Sequence, residues 1–153
     1  MIIDVRGIPA PQGSKRHVGG GRMVEQSKAV GPWREAVRAE TQLVMATEGR
    51  TMTWAGLPDP GPKTGPVKVE LTFGMLRPKG HYRTGRNAHL LRVGAPARPA
   101  GKPDLDKLAR AVLDGLTAGG AWKDDSQVVV LVAEKLYAAG PGCRIVVTDL
   151  EET

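Results

Sequence analysis

Apolar and polar residues alternate most cleanly where Val67, Val69, Leu71, Phe73 and Met75 are separated by Lys68, Glu70, Thr72 and Gly74. This period of two predicts a strand with one face buried, stopped by Pro78. Ile2 to Ile8 alternates more loosely and predicts a first strand, closed by Pro9 and Pro11. Gln12 to Gly21 is polar, basic and glycine-rich, a loop or weak hairpin, with Arg22 to Glu25 as a short extended return. The period then lengthens. Trp33, Val37, Thr41 and Val44 share one helical face, while Arg34, Glu35, Arg38 and Gln42 lie mostly elsewhere. Pro32 belongs in a first turn, so this helix starts no earlier than about Ser27 and ends near Gly49.

Thr51 to Gly65, with Pro58, Pro60 and Pro62, reads as a loop. The segment from about 78 to 103 has no sustained period and is expected to be a long mobile loop, of the kind that is usually functional or disordered. Asp104 is placed to cap a second helix. Its stripe is Leu105, Leu108, Val112 and Leu116, widened by Ala109 and Leu113 and ended by Gly119 and Gly120. Trp122 to Ser126 is a turn. The β-branched run Val128 to Leu136 predicts a strand buried on both faces, and Gly140 to Gly142 a turn into a last strand, Arg144 to Leu150, hence a terminal hairpin. The order β-α-β-α-β-β predicts an α+β fold, with one mixed sheet and two helices packed on it. The 153 residues suit one domain, able to bury a core without staples.

Composition narrows the function. Lys and Arg number 22 against 16 acidic residues, and the pI is about 9.8. Such an excess favours a polyanionic partner. Its distribution says more: Arg77 to Pro103 holds seven Lys/Arg residues and no Asp or Glu, and carboxylates return abruptly at Asp104, Asp106, Asp114, Asp124 and Asp125. A basic stretch followed by a carboxylate cluster is the layout that phosphodiester cleavage needs; the bland alternative is a solvated loop beside an acidic helix. The single Cys143 excludes an intramolecular disulfide, and neither a signal peptide nor an apolar run near the length of a membrane span is present. A soluble, cytoplasmic protein with no membrane partner is expected.

Asp104 and Asp106 flank Leu105 at a helix start, where aspartates also serve as caps and as partners of the helix dipole. Asp125 comes back toward them only if the sheet order allows, and Asp124 and Asp125 also suit a turn. Read functionally, three converging carboxylates would hold Mg²⁺, which takes oxygen ligands and bridges to phosphate. Lys107 and Arg110, on the polar side of the same helix, would contact the scissile phosphate or its developing charge. The alternative for Arg110 is an i±4 ion pair with Asp106 or Asp114.

The stretch Lys102-Pro-Asp-Leu-Asp-Lys-Leu-Ala-Arg-Ala-Val-Leu-Asp-Gly-Leu-Thr, followed by Ala121-Trp-Lys-Asp-Asp-Ser-Gln-Val, resembles the signature of the RusA-type Holliday junction resolvases. Pro11-Gln-Gly-Ser-Lys-Arg and the segment from Ser27-Lys to Pro32-Trp-Arg resemble phage and prophage members. The resemblance implies a homodimeric, Mg²⁺-dependent nuclease, with Mn²⁺ able to substitute, that cuts four-way DNA junctions by paired nicks. The family's metal-binding aspartates fall on Asp104, Asp106 and Asp125. Its catalytic lysine falls on Arg110, a departure that leaves Lys107 or Arg110 to supply the cation; Arg forks onto phosphate, whereas Lys can donate a proton.

Lys15, Arg16, Arg22, Lys28, Arg83 and Arg86 are the expected DNA contacts. Gly19-Gly-Gly-Arg22 lacks the Lys-Ser/Thr ending of a nucleotide loop, so no nucleotide cofactor is expected. His17, His81 and His89 show no metal-ligand spacing. Trp33 and Phe73 suit the core; Trp122 suits either packing or the site, and Tyr82 either stacking on a base or plain exposure. Two other functions compete: a non-catalytic DNA-binding protein whose aspartates are caps and turns, and a broader nuclease acting on flaps or forks, since phosphate contacts do not specify the substrate.

Overall fold

The computed structural model describes residues 1–13, 15–17, 19–20, 23–25, 28–50 and 61–150, and for 15–17, 23–25 and 48–50 the course of the chain alone. In chain order the elements are β1 (Ile2–Arg6), β2 (Lys15–His17), β3 (Met23–Glu25), α1 (Val30–Arg50), β4 (Val67–Met75), α2 (Leu105–Ala118), β5 (Val128–Tyr137) and β6 (Gly142–Asp149). The fold is α+β, a four-stranded mixed sheet in the order β1-β6-β4-β5 with two helices, and β2 and β3 form a separate antiparallel ribbon.

The alternation in β4 does what its period implies. Val67, Val69, Leu71 and Phe73 are buried and join Ile3, Val5, Cys143, Ile145 and Val147 from the neighbouring strands in one core. Val30, Trp33 and Val37 of α1 and Leu108, Ala111, Val112 and Leu116 of α2 close that core, so both helices cover the same sheet face. Phe73 is 0% exposed, and sealing a side chain of that size contributes about 2–3 kcal/mol. The helices approach closely because α2 offers glycines at the crossing: a Cβ on Gly115 would stand 2.7 Å from Val37 Cβ, and one on Gly119 2.7 Å from Thr41 Cβ.

Two expectations are corrected. Strand β5 is not buried on both faces. Among the described residues it is an edge strand paired only with β4, in parallel, and Val129, Val130, Leu131 and Val132 are 59%, 40%, 45% and 48% exposed. Branched side chains favour extended backbone wherever the strand stands and do not say whether a neighbour covers it. Nor do β5 and β6 form a hairpin. The α2 crossover sets β5 beside β4 in parallel, and the chain then passes over the end of β4 to place β6 on its other side. Ala138 N donates to Met75 O at 3.0 Å on the way. A Cβ on Gly74 would meet Ala138 Cβ and Gly140 O, each at 3.1 Å, so a glycine under this crossing keeps it close. No helix among the described residues is long and apolar enough to cross a membrane.

Candidate active site

The N-terminus of α2 carries Asp104, Asp106, Lys107 and Arg110. Asp104 occupies the N-cap position with extended backbone (φ −68°, ψ 135°), yet its side chain makes no capping hydrogen bond. Its Oδ2 instead lies 3.3 Å from Lys107 Nζ. Asp106, in the first helical turn, is exposed, as is Arg110 one turn further. Asp114 pairs with Arg34 of α1 at 3.6 Å rather than with Arg110. The expected cap by the Asp104 side chain is therefore absent, and among the described residues Arg110 makes neither of the alternative i±4 ion pairs, with Asp106 or with Asp114.

Asp104 and Lys107 border a cleft of ≈ 620 Å³, walled by Pro9, Pro11, Ala29, Met75 and Lys102. The Gln12 amide donates to Lys107 O at 3.0 Å, which fixes the proline-bounded segment against the first turn of α2. Below the carboxylates, Lys135 Nζ donates to Gly101 O and Pro103 O, each at 2.8 Å, tying the end of β5 to the start of the helix.

The basic segment before α2 is built, not structureless. Arg83 N donates to Leu90 O and Arg92 N to His81 O, both at 2.8 Å, around a Tyr82–Leu91 bridge. The Arg77 guanidinium stacks 4.0 Å above the Tyr137 ring, and His81 meets the same ring edge-on at 5.8 Å. Arg83 Nε braces the segment through Leu91 O at 3.2 Å, whereas Arg86 is exposed.

Asp125 stands elsewhere. Trp122 Nε1 donates to Thr117 Oγ1 at 2.8 Å, and Ala121 N to Leu116 O at 3.0 Å, so the turn that follows α2 is fastened to its C-terminal end. Gln127 Nε2 donates to Lys63 O at 2.8 Å and Gly65 O at 3.1 Å, just ahead of β4. Asp124 accepts from Ser126 N at 2.8 Å while Gln127 Oε1 accepts from Asp124 N at 3.3 Å, a reciprocal cap. The hydrogen bonds from Ser126 hold the Asp124 carboxyl below the usual range. Asp124 is thus a turn residue, and the exposed Asp125 is its neighbour. The 14 residues of α2 span about 21 Å at 1.5 Å each. The strand from Val128 to Lys135 spans about 23 Å. The chain brings Asp104 and Asp106 together and leaves Asp125 at the far end. Among the described residues no group of three His, Cys, Asp or Glu side chains could hold a metal ion.

Lys28 is exposed beside Ala29 at the cleft wall. The side chains of Lys15 and Arg16, and Arg22 altogether, lie outside the described residues, as do Ser27 and residues 51–60 of the expected first helix start and loop. Trp122, 2% exposed, packs in the core and does not line the site. Sequence reasoning missed Lys135, Gln127 as the brace of its turn, and the Pro9–Gln12 wall. A lone lysine closing an apolar strand and two prolines after β1 were the available signals.

A model of the family described as endodeoxyribonuclease RusA matches residues 4–148. The chain is also 31% identical over 87 residues to the uncharacterized protein YqaN of Bacillus subtilis (strain 168), a match covering 57% of this chain and 60% of that protein's length.

Proposed function

Because the chain belongs to the RusA endodeoxyribonuclease family, we propose that it is a divalent-metal-dependent endonuclease that resolves four-way DNA junctions by paired nicks, in recombination and repair, acting in the cytoplasm as a homodimer. One observation carries the reading of its site: Asp104 sits at a helix N-cap without capping, so that its carboxylate and that of Asp106 face solvent beside a basic segment. A helix that needed Asp104 only as a cap would use its oxygens on the first-turn amides. This favours catalysis over a purely structural role for the pair.

The donor set suits Mg²⁺ or Mn²⁺, since the exposed groups are carboxylate oxygens, with no thiol or imidazole among them. Asp104 and Asp106 would hold the cation, which would supply charge neutralisation at the scissile phosphate and a water of lowered pKa, while Asp125, the third residue of the proposed set, stands at the far end of α2 in this chain. The residues of the chain do the rest. Lys107, 3.3 Å from Asp104, would orient that carboxylate and offer a proton. Arg110, always charged, is suited to forking onto a phosphate oxygen. Arg86, with Arg83, Lys15, Arg16, Arg22 and Lys28, would hold the backbone of the branched DNA without reading bases.

The test compares wild type with Asp106→Asn on four-way junction, flap, fork and linear duplex, in Mg²⁺, in Mn²⁺ and in chelator. Wild type should nick the junction in either metal and stop in chelator, and Asp106→Asn should bind the junction without cutting it. Cleavage by Asp106→Asn at the wild-type rate, or by wild type in chelator, would exclude this mechanism. Equal cleavage of flap and fork would replace junction resolution by a broader branched-DNA activity.

A further inference from the structure

The basic segment between β4 and α2 carries an apolar tip. Leu90 and Leu91 are 41% and 42% exposed and Val93 is 97% exposed, and among the described residues none of the three joins the core or packs against it. Single surface leucines need no explanation. A tip held in one shape does, because ordering exposed backbone costs entropy that exposed side chains do not offset. Both legs of this tip are held. Arg92 N donates to His81 O and Arg92 Nε to Tyr82 O, each at 2.8 Å, while Arg83 Nε donates to Leu91 O at 3.2 Å. Ala95 N closes the turn on Arg92 O at 3.1 Å, across Gly94 with its positive φ of 79°. Three residues past Val93, Pro96 O accepts from the Arg77 guanidinium at 2.6 Å. The tip therefore stays within about 11 Å of that anchor, just beyond the end of β4.

Charge says what this tip meets. From Arg77 to Pro103 there is no acidic residue, and the exposed Arg86 and Arg92 flank Leu90 and Leu91 in the sequence. An apolar point between guanidinium groups fits a polyanion with an apolar interior, which describes stacked bases between phosphate backbones. We propose that Leu91 and Val93 form a rigid wedge that enters the base stack of branched DNA at the branch point, with Arg86 and Arg92 on the flanking phosphates. The inference rests on the reading of the chain as a branched-DNA nuclease. Apolar side chains that insert between base steps unstack them at a cost, which the added contacts offset. That cost falls where the stack is already interrupted, as it is where four arms meet. The same tip therefore favours a branch over a linear duplex without reading any base. The segment that carries it runs directly into Asp104, whose neighbour Pro103 is held by Lys135. The wedge thus sets the branch point in register with the proposed catalytic carboxylates.

A four-way junction carrying 2-aminopurine at the branch point reads the insertion, since the fluorescence of this base rises when it unstacks. The junction is titrated in chelator, which stops cutting, with wild type and with Leu91→Ser/Val93→Ser. Anisotropy gives the affinities for the junction and for linear duplex in parallel. Wild type should raise the fluorescence of the junction and leave a duplex probe dim. The double variant should lose the rise, and its preference for junction over duplex should fall about tenfold, the scale of one buried apolar side chain. Its melting temperature should match wild type, because these side chains pack on nothing. Leu91→Met/Val93→Ile, which keeps the tip apolar, should retain both the rise and the preference. A double variant that still unstacks the probe and prefers the junction as wild type does overturns the wedge. So does one that keeps both and instead loses binding to phosphatidylserine vesicles, which makes the tip a membrane contact. Nicking of the junction by wild type in Mg²⁺ is scored separately. Without it the nuclease reading falls and the wedge with it; with it, a probe that stays dim in wild type overturns the wedge alone.

Discussion

The Lys135 ammonium donates to the Pro103 carbonyl at 2.8 Å, which binds the end of one strand to the residue before the Asp104 carboxylate. Lys135→Met keeps the aliphatic stem but loses two charge-assisted hydrogen bonds. Stability in urea should fall by about 1–2 kcal/mol. Metal-dependent cleavage should fall further than junction binding, because Asp104 loses its footing while the basic segment stays. Cleavage and urea midpoint both at wild-type values would show that this tie positions nothing.

Gly115 meets Val37 at the helix crossing with no room for a methyl group. Gly115→Ala gains helix propensity in the unpacked chain, but the clash outweighs that gain. A net loss of about 1–3 kcal/mol is expected from overpacking a rigid contact. Thermal denaturation measures it; a stabilised variant would mean that α1 and α2 can slide apart freely.

Arg86 is exposed, whereas Arg83 braces its own segment through Leu91 O at 3.2 Å. The two arginines should therefore separate. Arg86→Ala should lower the salt slope of duplex binding by about 0.9 and leave the melting temperature in place. Arg83→Ala should also loosen the Tyr82–Leu91 region, visible as faster amide exchange there. An unchanged slope for Arg86→Ala would turn this residue away from the DNA.

Cys143 is buried, and burial pushes its thiol up to about 12. At neutral pH it should resist alkylation in the native protein and react only after unfolding. The sign of the pH effect follows from linkage. Above the ordinary thiol pKa the unfolded chain loses its proton while the native chain keeps it. Stability should therefore fall as pH rises from about 9 toward 12, by at most about 1.4 kcal/mol per pH unit. Rapid labelling of folded protein at pH 7 would contradict this burial.

Much of this architecture is legible in the sequence, because local periods set local structure. The alternation of Val67 to Met75 and the stripe from Leu108 to Leu116 each predict the element that forms and the face that it buries. What escapes is arrangement. The glycine turn after Tyr137 carries a hairpin signal, but the pairing of β5 with β4 is imposed by the α2 crossover, and no local turn records it. The exposure of Val129 to Val132 is hidden for the same reason, since identical residues would serve in a covered strand. At the site, the position of Asp104 is readable, but its freedom from capping is not. The distance between Asp104 and Asp125 follows from helix length only once the sheet order is known.

Strand β6 lies between β1 and β4, so a strand made early is held by one made late. During synthesis residues 2–6 leave the ribosome long before 142–149, and β1 waits for β6 before it has a hydrogen-bonding neighbour in the sheet. The four-stranded sheet therefore cannot be completed on a growing chain that has not reached Gly142. Contacts of such sequence separation slow folding and lengthen the life of open intermediates. A ribosome that stalls before residue 142 would leave β1 and one side of β4 with unpaired edges, a nascent chain in need of a chaperone.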